Sequence, residues 1–134
     1  MAGYTKEEAD VLAVNQKLLD AIAEGDWSTY AELCDATLTA FEPEALGHLV
    51  VGLPFHEFYF KLPGGGGKKP SNSMLDAHIR VIGDVAVLCY YRLKQGLGGD
   101  GAPVSVGTEE TRIWQKKDGK WKHIHFHRSP SQKG

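Results

Sequence analysis

AHIRVIGDVAVLCYYRLK, residues 77–94, decides the fold. Residues 77–82 and 85–94 change to a period of two, and Gly83-Asp84 between them suits a two-residue hairpin turn. A second hairpin follows, in which residues 104–116 (VSVGTEETRIWQK) and 120–128 (KWKHIHFHR) flank Asp118-Gly119. The chain begins differently. Thr5-Lys6-Glu7-Glu8 is a capping box, and Val11, Val14, Leu18 and Ile22 recur behind it at three- and four-residue steps, with Leu12 and Leu19 widening the stripe. This predicts a long amphipathic helix that ends near Gly25, whose missing Cβ suits a left-handed cap. Asp26 caps a second helix from Trp27 to about Cys34. Residues 37–41 have strand chemistry, Pro43 opens a helical turn, and residues 54–60 form one more short helix. Helices first and antiparallel strands last define an α+β domain with its helices on one face of the sheet. Nothing repeats and no linker interrupts, so residues 1–134 are expected to form one domain.

The composition narrows the possible classes. With 15 Lys+Arg against 17 Asp+Glu, the chain lacks the basic excess of a nucleic-acid protein. No apolar run is long enough for a membrane span, and no secretory leader is recognisable, so no membrane partner and a cytoplasmic location are expected. Cys34 and Cys89 lie within apolar patterns and read as buried free thiols in a reducing compartment. Glycine is in excess, at 16 residues, and half of it falls in two connections, 64–67 and 96–101. Residues 96–101 match G-x-G-x-x-G literally, but Ala102-Pro103 leads into a strand, and no helix N-terminus is available to hold a pyrophosphate. Gly67-Lys68 fails as a P-loop because Leu62 and Lys69 stand where a glycine and a Ser/Thr are needed. Both stretches read as flexible connections, and no cofactor is implied.

The register of the last hairpin governs which side chains meet. A two-residue Asp-Gly loop pairs Lys117 with Lys120 and turns Arg112 and Arg128 to opposite faces. A three-residue loop, with Gly119 at a left-handed bulge position, pairs Lys116 with Lys120 and sets Arg112 opposite Ile124. The second register is preferred because it puts Ile124 and Phe126 on one face and the histidines on the other. Arg112 and Arg128 then share a face. His123, His125 and His127 would stand in a row on the opposite side. Three imidazoles so placed can approach one metal, but no second-shell acid is evident, and a polar outer sheet face is the preferred reading.

Other chemistry is sparse. No Ser-His-Asp order or nucleophile elbow occurs. Glu109 and Glu110 are strand neighbours and point to opposite faces, so they cannot act as a carboxylate pair, although either one, or His56, could serve alone as a base. The arginines are more informative. Arg92 shares parity with Leu88 and Tyr90 among inward positions, and a cation buried there without a partner costs several kcal/mol, roughly. Either Glu110 and its neighbours neutralise these arginines, or they line a cavity suited to a carboxylate or phosphate.

The chain also resembles a known family. Gly25-Asp26-Trp27, Leu33-Cys34-Asp35, residues 39–47 (TAFEPEALG), Phe55-His56 and Phe58-Tyr59-Phe60 resemble the association (hub) domain of calcium/calmodulin-dependent protein kinase II. So do residues 109–114 (EETRIW), 118–121 (DGKW) and 125–129 (HFHRS), and the match runs from about residue 5 to residue 129. The resemblance implies an NTF2-like cone: a long helix against a strongly curved antiparallel sheet enclosing a pocket. It further implies stacked homo-oligomeric rings that gather kinase domains. Arg92, Arg112 and Arg128 fall on the family's pocket arginines, and His56 matches a histidine near the pocket mouth. Departures occur at residues 61–73, which include Gly64–Gly67, and at His123, which replaces what is usually another residue. No kinase motif lies within these residues, which leave open a free-standing hub or one excised from a kinase.

The expectation is a non-catalytic oligomerisation scaffold. Its partners would be other copies of itself, kinase domains in cis or trans, and a small carboxylate or acidic peptide. Arg92, Arg112, Arg128, His56 and Glu110 would form the anion pocket. The competing expectation is a small enzyme of isomerase or cyclase type with a single acid–base residue in the pocket. Fold alone does not license that activity, and an arginine-lined pocket suits an anion better than a steroid.

Overall fold

The computed structural model describes residues 3–62 and 71–130. Helix α1 spans Lys6–Glu24, and its N-terminus carries the expected capping box: Thr5 Oγ1 accepts from Glu8 N–H while Glu8 accepts from Thr5 N–H. Gly25 closes the helix in the left-handed conformation at φ 68°. The buried stripe of α1 is Val11, Leu12, Leu18, Leu19 and Ala21, with Asn15 at its centre; Val14 and Ile22 lie at its margin. Asn15 is tolerated there because both ends of its amide are satisfied. Its oxygen accepts from Trp114 Nε1 at 3.0 Å, and its nitrogen donates to Met74 Sδ at 3.2 Å.

Helix α2 (Trp27–Leu33) leads directly into β1 (Cys34–Phe41), and a 3-10 turn follows at Pro43–Ala45. Next come β2 (Val50–Val51), which has no counterpart in the sequence reading, and α3 (Pro54–Phe60). The remaining strands are β3 (Ser71–Ile82), β4 (Val85–Leu97), β5 (Pro103–Lys117) and β6 (Lys120–Pro130). Among the described residues they form one open sheet in the order β2-β1-β6-β5-β4-β3. The helices α1 and α2 cover one face of it, over a core that includes Leu18, Tyr30, Leu38, Leu88 and Trp114. No helix among the described residues is long and apolar enough to cross a membrane.

Four expectations need correction. The sheet is mixed rather than antiparallel, because β1 runs parallel to β6. Residues so distant in sequence leave no local signature of their pairing direction. Cys89 is exposed: it belongs to the outward set of β4, while Ala86, Leu88, Tyr90 and Arg92 point inward. Cys34 is buried as expected, and both thiols are free.

The third correction concerns the last hairpin. Its turn has two residues, Asp118 (φ 51°) and Gly119 (φ 77°), both left-handed, and Lys117 pairs with Lys120. Asp-Gly is well suited to such a primed turn, whose twist matches that of the flanking strands. Facing is restored further along by a bulge. Trp114 pairs with His123 but Ile113 pairs with His125, so Ile124 is an extra residue in β6. Arg112 therefore lies opposite Phe126 rather than Ile124, and Arg112, Phe126 and Arg128 still share the inner face.

The bulge also splits the histidines, which is the fourth correction. His123 is fully buried on the inner side of the sheet, while His127 is exposed and His125 half-buried on the outer side. A second bulge lies in β3, where Leu75 pairs with Tyr91 and His78 with Cys89, with Asp76 at φ 57°. A bulge of this kind bends its strand and increases the local twist. The Gly96–Gly101 stretch closes the β4–β5 hairpin, with Gly98 N–H donating to Ala102 C=O, and no helix starts there. Gly64–Gly67 lies outside the described residues.

Candidate functional site

The inner face of the sheet places Arg92 on β4, Glu110 and Arg112 on β5, and Arg128 on β6 side by side. Helix α3, which begins at Pro54, turns His56 toward them, and Tyr30 of α2 closes the side. All five residues expected to form the site thus come together. The three arginines and His56 line a cavity of about 210 Å³ with Phe126 and Tyr30 among its walls. Glu110 is not part of the lining but is bonded to Arg92 and Arg112.

Glu110 holds two of the arginines. One carboxylate oxygen accepts from Arg92 Nη1 at 2.7 Å, and the other accepts from Arg112 Nε at 3.0 Å and from the Tyr90 hydroxyl at 2.5 Å. Its side chain is fully buried. Burial pushes the Glu110 carboxyl pKa up, but Arg112 and Arg92 outweigh that and leave it below its ordinary value. Burial likewise opposes the charge on Arg112, and Glu110 overcomes it, so its pKa is raised. At Arg92 burial wins and the pKa falls. The same balance raises Tyr90 to about 12, chiefly through burial.

Arg128 is held from the other side. Its Nη2 donates to Glu44 and lies 3.4 Å from Glu42, and Glu42 also lies 2.5 Å from His56 Nε2. Glu44 keeps a lowered pKa because the Arg128 contact outweighs its partial burial. Two buried polar atoms at this site have no hydrogen-bond partner, His56 Nδ1 and Arg92 Nε. The arginines are thus paired with glutamates and also line a cavity.

Sequence reasoning missed several lining residues. Lys94 stands at the rim, where burial and the charges of Arg92 and Arg128 press its pKa down. Its signal was available: Arg92 and Lys94 are two apart on one strand and therefore share a face. Glu42 and Glu44 fall at and after the end of β1, where alternation stops and local sequence gives no facing. Four cations (Arg92, Lys94, Arg112, Arg128) thus meet three carboxylates (Glu42, Glu44, Glu110) at and beside the cavity.

Behind the pocket lies a second buried chain of polar groups. Arg112 Nη1 is 3.5 Å from His123 Nε2, and His123 Nδ1 is 3.6 Å from Cys34 Sγ. Arginine only donates, so Nε2 accepts, and the ring carries its proton on Nδ1, facing the sulfur. Burial, and then Arg112, hold the His123 pKa well below its ordinary value. Burial raises the Cys34 thiol to about 12, so it is neutral and unreactive at neutral pH.

A long helix capped by a curved open sheet, with a polar pocket between them, is the NTF2-like architecture. An NTF2-like protein from Cytophaga hutchinsonii superposes with a TM-score of 0.75 over 96% of this chain and all of its own, at 21% identity, which speaks to fold alone. The family follows from closer matches: the chain belongs to the calcium/calmodulin-dependent protein kinase II association domain family, whose profile matches residues 7–132. The hub homology domain from Chlamydomonas reinhardtii is 53% identical, with a TM-score of 0.86 over 92% of this chain and 98% of that one. The calcium/calmodulin-dependent protein kinase type II subunit delta of Oryctolagus cuniculus is 45% identical over 124 residues, 91% of this chain. Those residues are 23% of the length of that relative.

Proposed function

We propose that this chain is a non-catalytic assembly scaffold that forms stacked homo-oligomeric rings and carries a pocket for a small carboxylate or an acidic peptide side chain. Membership of the association-domain family is the observation that carries the assembly reading. Exposed apolar side chains at Phe58, Tyr59 and Leu62, and at Leu46, Leu49 and Val51, supply surfaces of the kind a repeating interface covers. A ring raises the effective concentration of whatever its subunits carry, and kinase domains held in cis or trans are the cargo we propose. Two free thiols fit a cytoplasmic setting. Size exclusion with light scattering tests assembly: a multiple of the 14.7 kDa chain is expected, and a stable monomer at micromolar concentration overturns it.

The unbalanced cation and the unpartnered Arg92 Nε support the anion reading of the pocket. Small carboxylates are expected to raise the melting temperature through charge-assisted contacts, and Arg128→Ala to abolish that shift. A shift that survives in Arg128→Ala places the anion elsewhere. The absence of catalysis is supported by the state of the acid–base groups. Glu110 is locked between two arginines and His123 is enclosed, so neither is free to act as a base, while His56 is engaged by Glu42 through Nε2.

A further inference from the structure

We propose that Glu44 is a tethered occupant of the anion pocket, and that an incoming carboxylate enters by exchanging with it on Arg128. The proposal rests on the anion reading given above. The three carboxylates around the arginines differ in how firmly they are held. Glu110 is fully buried and bound to Arg92, Arg112 and Tyr90. Glu42 is 7% exposed and lies between His56 and Arg128. Removing either strands a cation in a closed interior, which costs far more than solvent returns.

Glu44 is the exception. Its side chain is 40% exposed, and its one partner among the described contacts is Arg128, which is itself only 18% exposed. It is carried by the three-residue turn Pro43–Ala45, whose end at Leu46 is left-handed at φ 55°. When Glu44 swings outward its carboxylate meets water and Glu42 remains 3.4 Å from Arg128, so the exchange gives up one half-exposed ion pair without leaving Arg128 unpaired. The departure uncovers Arg128 beside Lys94 and Arg92, and a carboxylate there faces three cations where Glu44 spans to one. Glu42 stays in place through His56 and keeps the cluster from flying apart. Glu44 therefore sets a threshold: weak or neutral ligands cannot displace it, and a ligand bearing a full negative charge can.

Calorimetric titration of the 134-residue chain with benzoate, with neutral benzamide as control, tests the exchange. Glu44→Gln is expected to bind benzoate about tenfold more tightly than the wild type, since the competitor's charge is gone. Glu44→Ala, which also removes the neutral oxygen, is expected to bind at least as tightly. Equal or weaker binding by both variants, in protein whose melting temperature is unchanged, overturns the exchange while leaving the pocket reading intact. Benzoate that binds none of the three proteins overturns the pocket reading and the exchange together. Tighter binding of benzamide in the variants shows that space, not charge, was released, and that also overturns the proposal.

Discussion

The Arg112 guanidinium lies over the Phe126 ring, 4.4 Å from its centroid, and the two residues face each other across the β5–β6 ladder. Phe126 also packs against the rings of His56 and His123, at 5.4 and 5.6 Å. One aromatic face thus steadies a pocket cation and two imidazoles. Phe126→Ala is expected to lower unfolding free energy by about 3–5 kcal/mol, from lost burial plus a cavity. Phe126→Leu keeps most of the apolar contact and loses the ring face, so about 1–2 kcal/mol is expected. Urea unfolding at fixed protein concentration separates the two. A Phe126→Leu variant as stable as the wild type would mean that the ring face contributes nothing.

Glu110 neutralises two arginines in a closed interior. Glu110→Gln is therefore expected to destabilise by about 3–5 kcal/mol, because it leaves two buried cations underpaired. The same change leaves the pocket more cationic. Added sulfate is expected to recover part of the lost melting temperature in Glu110→Gln, and to move the wild type less.

His123 makes stability depend on pH. Its folded pKa is depressed by burial and by Arg112, so below ~6.5 the unfolded chain takes up a proton that the folded chain refuses. Stability from this group is fully present above ~6.5 and is lost as the pH falls toward the folded pKa, with a limiting slope of about 1.4 kcal/mol per pH unit. Urea midpoints between pH 7 and pH 5 read this slope. In His123→Asn the midpoint is lower throughout, but this component of the slope should vanish. A slope that persists undiminished would assign it to another group.

On the outer face Tyr91 lies across Gly107. A Cβ added at Gly107 would sit 1.5 Å from the Tyr91 hydroxyl oxygen, so Gly107→Ala must drive the ring away. Tyr91→Ala removes the same packing from the other side. The double variant is expected to cost less than the sum of the singles, with a coupling of about 1–2 kcal/mol. Additive costs would show that the ring does not rest on the glycine.

Much of the local structure was written in short stretches. The capping box at Thr5, the left-handed Gly25, the Gly83-Asp84 turn and the strand alternation each depend on residues within a few positions of one another. Arg92, Arg112 and Arg128 line one cavity, but the three-residue loop expected to bring Arg112 and Arg128 to one face is not formed. Asp118-Gly119 forms the two-residue turn that its chemistry favours, and the compensating residue appears at Ile124. No feature near Ile124 marks it as a bulge, because a bulge is settled by how the whole ladder packs onto the helices.

Local sequence alone determined the helix boundaries, the hairpin turn residues and the inward parity of Arg92, because those properties arise from backbone geometry and nearest neighbours, whereas the shared face of Arg112 and Arg128 needs the bulge at Ile124. Tertiary structure decided the parallel docking of β1 beside β6, the burial of His123 apart from its two neighbouring histidines, and the arrival of Glu42 and Glu44 at Arg128. The last of these joins positions 84 and 86 residues apart. No local preference encodes such a contact. It forms because a buried cation must be paired, and only the assembled fold determines which carboxylates are near enough to do it.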